Sequence, residues 1–246
     1  MLKAIIGKQV AVFIFFLAMI ILAGCGNTRQ REHLVDHNND SGPAETDQDS
    51  LGSEVEFDDF DSMVRKFEDP ERKNWQSPEL VINKMGSLTG KVVADIGVGT
   101  GYFAFRLIGE GATVIGIDID DRFLDYINER KSELSPEVAG RLITRISDPD
   151  NPALNQNEVD WILIVNTYHY LKNRIIYLEK LFKTIKPGGR IMIVDYNRGN
   201  SPVGPAENEK VYSQVTVSEL KSAGFRVIDV DEESLQYQYI IRATRP

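Results

Sequence analysis

The densest chemistry in this 246-residue chain lies in Asp95-Ile-Gly97-Val-Gly99-Thr-Gly101. Its three glycines permit a tight turn and let a ligand approach bare backbone amides. Two more acids follow at strand ends, Asp118, seventeen residues after Gly101, and Asp148. A carboxylate at Asp118 suits the paired hydroxyls of a ribose, and Asp148 is placed to accept from the exocyclic amine of adenine. Ile119 offers an apolar cover for one face of that base. Further on, Asn166-Thr-Tyr168-His169-Tyr170 gathers proton-handling side chains. His169 is the candidate general base, with Tyr168 or Tyr170 orienting an acceptor. The alternative is that His169 caps or packs on the helix that starts near Asn173. Asp195-Tyr196 and Trp75-Gln76 are candidates for the remaining pocket wall, each with a structural role as its alternative.

Two other readings of the glycine run stand beside this one. It could be a tight turn without a ligand, or part of a dinucleotide site. The dinucleotide fingerprint is GxGxxG, whereas this loop is GxGxG preceded by Asp95, a carboxylate badly placed beside a pyrophosphate.

The elements that must position these residues follow from hydrophobic spacing. Phe60, Met63, Val64 and Phe67 recur at helical intervals until Pro70. Ser77-Pro78-Glu79 reads as a helix start, with the helix running through Val81 and Met85 to Gly86. Strands are expected at Val92–Asp95, Thr113–Asp118, Arg141–Ile146, Val159–Val165 and Arg190–Asp195. Helices at Tyr102–Ile108, Arg122–Leu134 and Ile175–Ile185 alternate with them. Thr216-Val-Ser-Glu219 reads as a capping box opening a helix to Ala223, and Phe225–Val230 with Tyr237–Ala243 as a closing hairpin. Apolar strands alternating with helices specify an open, mostly parallel α/β sheet. Such sheets bind ligands beyond the carboxyl ends of their strands, where the residues above stand.

On these residues the chain resembles class I S-adenosylmethionine-dependent methyltransferases, from about Glu68 to the C-terminus. The matching pieces are the DxGxGxG loop, the Ile-Asp-Ile119 strand end, the Val-Asp160-Trp-Ile-Leu strand, Ile-Lys-Pro-Gly-Gly-Arg-Ile191 and the final hairpin. The resemblance implies a Rossmann-like, doubly wound sheet of seven strands, mostly parallel, with a C-terminal antiparallel hairpin. It implies S-adenosyl-L-methionine as cofactor, with Asp95 near the methionine amino group and Gly97, Gly99 and Gly101 forming the loop. Asp118 would meet the ribose, Ile119 and Asp148 the adenine, and Asn166 would close the methionine side. The expected activity is methyl transfer by in-line displacement to a small or lipid-borne acceptor. No metal is expected: the folded part holds one histidine, and the single cysteine excludes the thiol sets that metalloid methylation needs.

Charge and the cysteine divide the chain. A net charge of −9 argues against a nucleic-acid partner held through phosphates. The lone Cys25 excludes an internal disulfide. It follows a basic start, the apolar run Val10 to Ala23 and Gly24, as a secretory signal does. Leu22-Ala23-Gly24-Cys25 resembles the bacterial lipobox, with an uncleaved signal anchor as the alternative. The resemblance implies a signal peptide at 1–24, palmitate-type lipidation of Cys25 and an extracytoplasmic, membrane-anchored protein of the bacterial envelope. Residues 25–54 read as an acidic, disordered tether, with seven acids against Arg29 and Arg31, and His33 and His37 as solvated polar residues. Residues 55–246 form the expected methyltransferase domain. Its rival is a tethered binding or structural lipoprotein without turnover, because the cofactor is not expected to be plentiful outside the cytoplasm.

Overall fold

The computed structural model describes residues 59–246. Cys25, the expected signal peptide and the expected 25–54 tether lie outside the described residues. Seven strands form one sheet: β1 (Val92–Ile96), β2 (Thr113–Asp118), β3 (Leu142–Ile146), β4 (Val159–Val165), β5 (Ile185–Tyr196), β6 (Arg226–Asp231) and β7 (Gln238–Thr244). Their order is β3-β2-β1-β4-β5-β7-β6. The first five pair in parallel, and β7 inserts antiparallel between β5 and β6. The fold is the α/β Rossmann-like architecture expected, and the closing hairpin forms.

The helices are α1 (Phe60–Phe67), α2 (Arg72–Gln76), α3 (Pro78–Met85), α4 (Ala104–Gly109), α5 (Asp121–Lys131), α6 (Pro136–Ala139), α7 (Arg174–Thr184) and α8 (Ser213–Ser222). They pack on both faces because successive strand residues point opposite ways. Leu163 of β4 joins Val81, Leu107 and Ile127 beneath α3, α4 and α5. Its neighbours Ile162 and Ile164 join Leu178, Leu181 and Leu220 beneath α7 and α8. Each such fully buried aliphatic side chain contributes about 1.5–3 kcal/mol. Among the described residues no helix is long and apolar enough to cross a membrane.

Several local expectations are corrected. The helix after β2 ends at Lys131, and Pro136 opens the separate α6. The segment 186–189 lies within β5, as an irregularity that sets Ile185 opposite Val159 and Arg190 opposite Trp161. The capping box does not form. α8 starts at Ser213, placing Thr216 inside the helix, where its hydroxyl meets the Tyr239 hydroxyl at 2.9 Å. Glu219 instead accepts from Tyr168 and Arg174, so tertiary partners outcompete the local cap. Ser77 precedes α3 in the left-handed region (φ 42°) without a capping bond. The short α2, just before it, was not expected.

Candidate active site

At the centre of the sheet the chain order reverses between β1 and β4, which lie side by side. Connections leave their carboxyl ends in opposite directions and open a crevice there. The Gly97–Gly101 loop follows β1, Asn166–Tyr170 follows β4, and Tyr196 ends β5. Together with α2 and the 202–205 loop they enclose a cavity of about 400 Å³.

The glycine loop is shaped by its neighbours. Gly97 has φ +72°, and a Cβ there would run into the Thr167 side chain. Its N–H and that of Val98 both donate to the Ile117 carbonyl, at 2.8 and 3.0 Å. Gly99 N–H donates instead to Asp118 Oδ2 at 2.9 Å. The other Asp118 oxygen accepts from Ile119 and Asp120 N–H at 2.8 and 3.2 Å. Burial still raises the Asp118 pKa above its ordinary value, with these three amides opposing. Each carboxylate oxygen carries two lone pairs, so Oδ2 keeps acceptor capacity for a ligand hydroxyl.

Asp95 ends up inside the crevice at 3% exposure. Desolvation raises its pKa to about 7; Arg72 pulls it down and the Asp118 charge adds to the rise. The Arg72 guanidinium is buried too. It donates to Gln76 Oε1 and the Phe67 carbonyl, both at 2.8 Å, and lies 4.0 Å from the Tyr102 ring centroid. Burial lowers its pKa. No carboxylate forms a salt bridge with it among the described residues. Tyr102 lines the same cavity, and its hydroxyl is buried without a hydrogen-bond partner.

Asn166 adopts φ +57° and lines the cavity. It is locked by amides from distant parts of the chain: Gln76 Oε1 accepts from its Nδ2 at 3.2 Å, and Gln238 donates to its Oδ1. Gln76 also donates to Gln238 at 2.6 Å. Thus Gln76 sits behind the wall, while Trp75 lines it.

His169 and Asp195 form a buried pair. The His169 side chain is 2% exposed, and its Nδ1 lies 2.9 Å from Asp195 Oδ1 and 3.0 Å from Oδ2. Its backbone N–H also donates to Oδ2, and Tyr196 N–H donates to Oδ1. The carboxylate therefore accepts from Nδ1–H, and in the neutral ring Nε2 is the acceptor nitrogen. Nε2 is buried with no hydrogen-bond partner, and His169 lines the cavity.

Of the residues expected from sequence, the cavity collects Asp95, Gly97, Gly99, Asn166 and His169. Gly101 lies behind it, where a Cβ would meet the Phe105 ring at 2.8 Å. Asp118 is reached through Gly99, and Ile119, 62% exposed, lies on open surface just after it. Asp148 is exposed after β3 and bridges Asn151 through the backbone. Tyr168 is corrected: it points away from the cavity, fully buried, with its hydroxyl donating to Glu219 at 2.7 Å. One position along the 3-10 turn Tyr168–Tyr170 separates it from His169, and the turn sends them in different directions. Arg72, Tyr102 and Gln238 were missed. A polar residue in a five-residue helix or a closing strand carries no local signal.

Comparison with known proteins decides the family. The family described as Methyltransferase domain matches residues 88–244, more than half of the chain. The chain belongs to that family. A crystal structure of a SAM-dependent methyltransferase from Aquifex aeolicus is 27% identical, with a TM-score of 0.69. It covers 76% of this chain and 99% of its own. The ubiquinone biosynthesis O-methyltransferase of Alkalilimnicola ehrlichii is 26% identical over 148 residues, 56% of this chain and 58% of its own length. Phosphoethanolamine N-methyltransferase 1 of Arabidopsis thaliana is 26% identical over 172 residues, 65% of this chain and 34% of its own length. The chain thus spans less than two thirds of the length of these curated relatives. Methyltransferase domains of this fold are enzymes that use S-adenosylmethionine, and the groups at this crevice suit it. Asp95 matches an ammonium, Arg72 a carboxylate and Asp118 a hydroxyl pair.

Proposed function

We propose that this chain transfers a methyl group from S-adenosylmethionine to a small-molecule acceptor bound against His169. The observation that carries this reading is one cavity shared by two sets of groups. The Asp95–glycine loop would hold the cofactor, and the unpartnered His169 Nε2 would meet an acceptor. Asp95 would take the methionine ammonium and Arg72, aided by the Tyr102 hydroxyl, its carboxylate. Asp118 would accept from the ribose, Ile119 and Asp148 would flank the adenine, and Asn166 would close the methionine side. The bound cofactor supplies an electrophilic methyl on a sulfonium. The protein's part is to position the acceptor in line and to hold its proton, the two roles that proximity and general-base catalysis assign to it. His169 Nε2 is the proton acceptor, and Asp195 orients the ring and stabilises the imidazolium.

Calorimetry on the full-length protein tests the binding half: S-adenosylhomocysteine binds, and Asp118→Ala weakens it. No heat and no thermal shift would remove the cofactor claim. Binding without product across acceptor screens would favour a tethered binding protein without turnover.

The envelope location is part of the same proposal. Leu22-Ala23-Gly24-Cys25 supports lipid attachment at Cys25, with the acidic tether holding the domain off an extracytoplasmic membrane face. Radiolabelled palmitate incorporation should vanish in Cys25→Ser, and incorporation that survives would sink it.

A further inference from the structure

The cavity wall around His169 carries chemistry that narrows the acceptor. Trp75 and Tyr196 lie 6.4 Å apart by ring centroid, tilted by 34°. Tyr170 stands 4.0 Å from the His169 ring, and Tyr196 stands 5.9 Å from it. The 202–205 loop closes over Tyr196: a Cβ at Gly204 would run into the Tyr196 ring, and Pro202, Val203 and Pro205 line the cavity beside it. Tyr170 is 72% exposed, a flat apolar rim at the mouth. Flat aromatic faces and prolines favour a planar, apolar guest.

The polar groups then set the guest's functional group. With Nδ1–H donated to Asp195, the neutral ring presents the buried Nε2 as an acceptor, the form that takes a proton from a donating guest. A protonated amine fits poorly. Asp195, the carboxylate behind this wall, spends its oxygens on His169 and on the Tyr196 amide. The carboxylates that do line the cavity are Asp69, between α1 and α2, and Asp95 of β1, and Asp95 is taken by the cofactor's own ammonium in the reading above. An aliphatic alcohol holds its proton too tightly for an imidazole, whereas a phenol, with an ordinary pKa near 10, lies within reach.

We infer that the acceptor is a neutral planar compound bearing a phenol-type hydroxyl, donated to His169 Nε2 and lying against the aromatic wall of Trp75, Tyr170 and Tyr196. This rests on the methyltransferase reading above and names its substrate class. In the reaction the hydroxyl proton passes to Nε2 as an oxygen lone pair forms the bond to the methyl carbon. The electron pair of the carbon–sulfur bond leaves with sulfur as a neutral thioether. The imidazolium so formed keeps its Nδ1–H on Asp195 until solvent removes the added proton.

The test uses full-length protein in detergent saturated with S-adenosylhomocysteine, with 4-nitrophenol as the probe. The phenol should bind, and its visible absorbance should move toward that of the nitrophenolate. His169→Gln should weaken it about tenfold, the scale of one buried hydrogen bond, and abolish the spectral shift. S-adenosylhomocysteine affinity should stay within about twofold of the parent. Trp75→Ala should weaken the phenol while retaining the shift, an effect that a general loss of folding would not produce. Phenol affinity and spectrum unchanged in His169→Gln would overturn the inference, as would tighter binding of phenethylamine than of 4-nitrophenol. Failure of S-adenosylhomocysteine to bind at all would instead strike the methyltransferase reading on which it stands.

Discussion

Gly99 N–H and Asp118 Oδ2 meet at 2.9 Å across nineteen residues, joining the turn after β1 to the end of β2. The contact makes the acid a brace for the loop in addition to its proposed role as ribose acceptor. Asp118→Ala strands the Gly99, Ile119 and Asp120 amides and removes both roles. We expect S-adenosylhomocysteine affinity to fall roughly 100-fold, the worth of two charge-assisted hydrogen bonds. Asp118→Asn, which keeps one acceptor oxygen, should lose less. Titration calorimetry on both variants checks the order.

Asp95 should make cofactor binding pH-dependent. Its pKa is raised to about 7, so around pH 5 the free protein holds this carboxyl protonated. The folded state then binds more protons than the unfolded chain between the ordinary carboxylate value and about 7, and stability falls as pH rises through that window. The penalty is on the order of 2–4 kcal/mol by linkage. A ligand ammonium favours the carboxylate, so binding should strengthen from pH 5 to pH 8 and release a proton near pH 6. Asp95→Asn should flatten that profile, weaken binding and raise the ligand-free melting temperature at pH 8. Calorimetry in buffers of different ionisation enthalpy reads the proton directly.

Gly97 is tied to Thr167. An alanine there adopts a left-handed backbone and drives its Cβ into the threonine side chain, so Gly97→Ala should cost about 2–4 kcal/mol. Adding Thr167→Ala should recover part of the loss and leave the backbone strain. Urea unfolding of the single and double variants separates the two contributions.

Tyr168 should matter for stability and not for binding. Burial first, then its bond to Glu219, holds its hydroxyl well above the ordinary tyrosine pKa, so it stays a donor. Tyr168→Phe leaves Glu219 paired with Arg174 and should cost about 1–2 kcal/mol, or several degrees of melting temperature. S-adenosylhomocysteine affinity should not move. A tenfold loss of affinity would return Tyr168 to the binding site.

What the sequence determined by itself is the architecture and which strand ends meet at the crevice. Alternating apolar runs place Asp95 and Asp118 at the carboxyl ends of strands and Asn166 directly after one, and strand ends at a sheet reversal must face one crevice whatever the side-chain detail. Those inferences need only a period and a chain direction, which are local. The tertiary structure decided everything that depends on partners far along the chain. Tyr168 and His169 are neighbours in sequence with complementary expected roles at one site, yet Glu219 draws one away while Asp195 fixes the other. Thr216 and Glu219 spell a cap that Tyr239, Tyr168 and Arg174 dismantle. Arg72 joins the site only because a five-residue helix packs it against Tyr102, and Gln76 meets Gln238 across 162 residues. A buried polar group takes the best partner that packing brings within reach, and no window of sequence contains that partner.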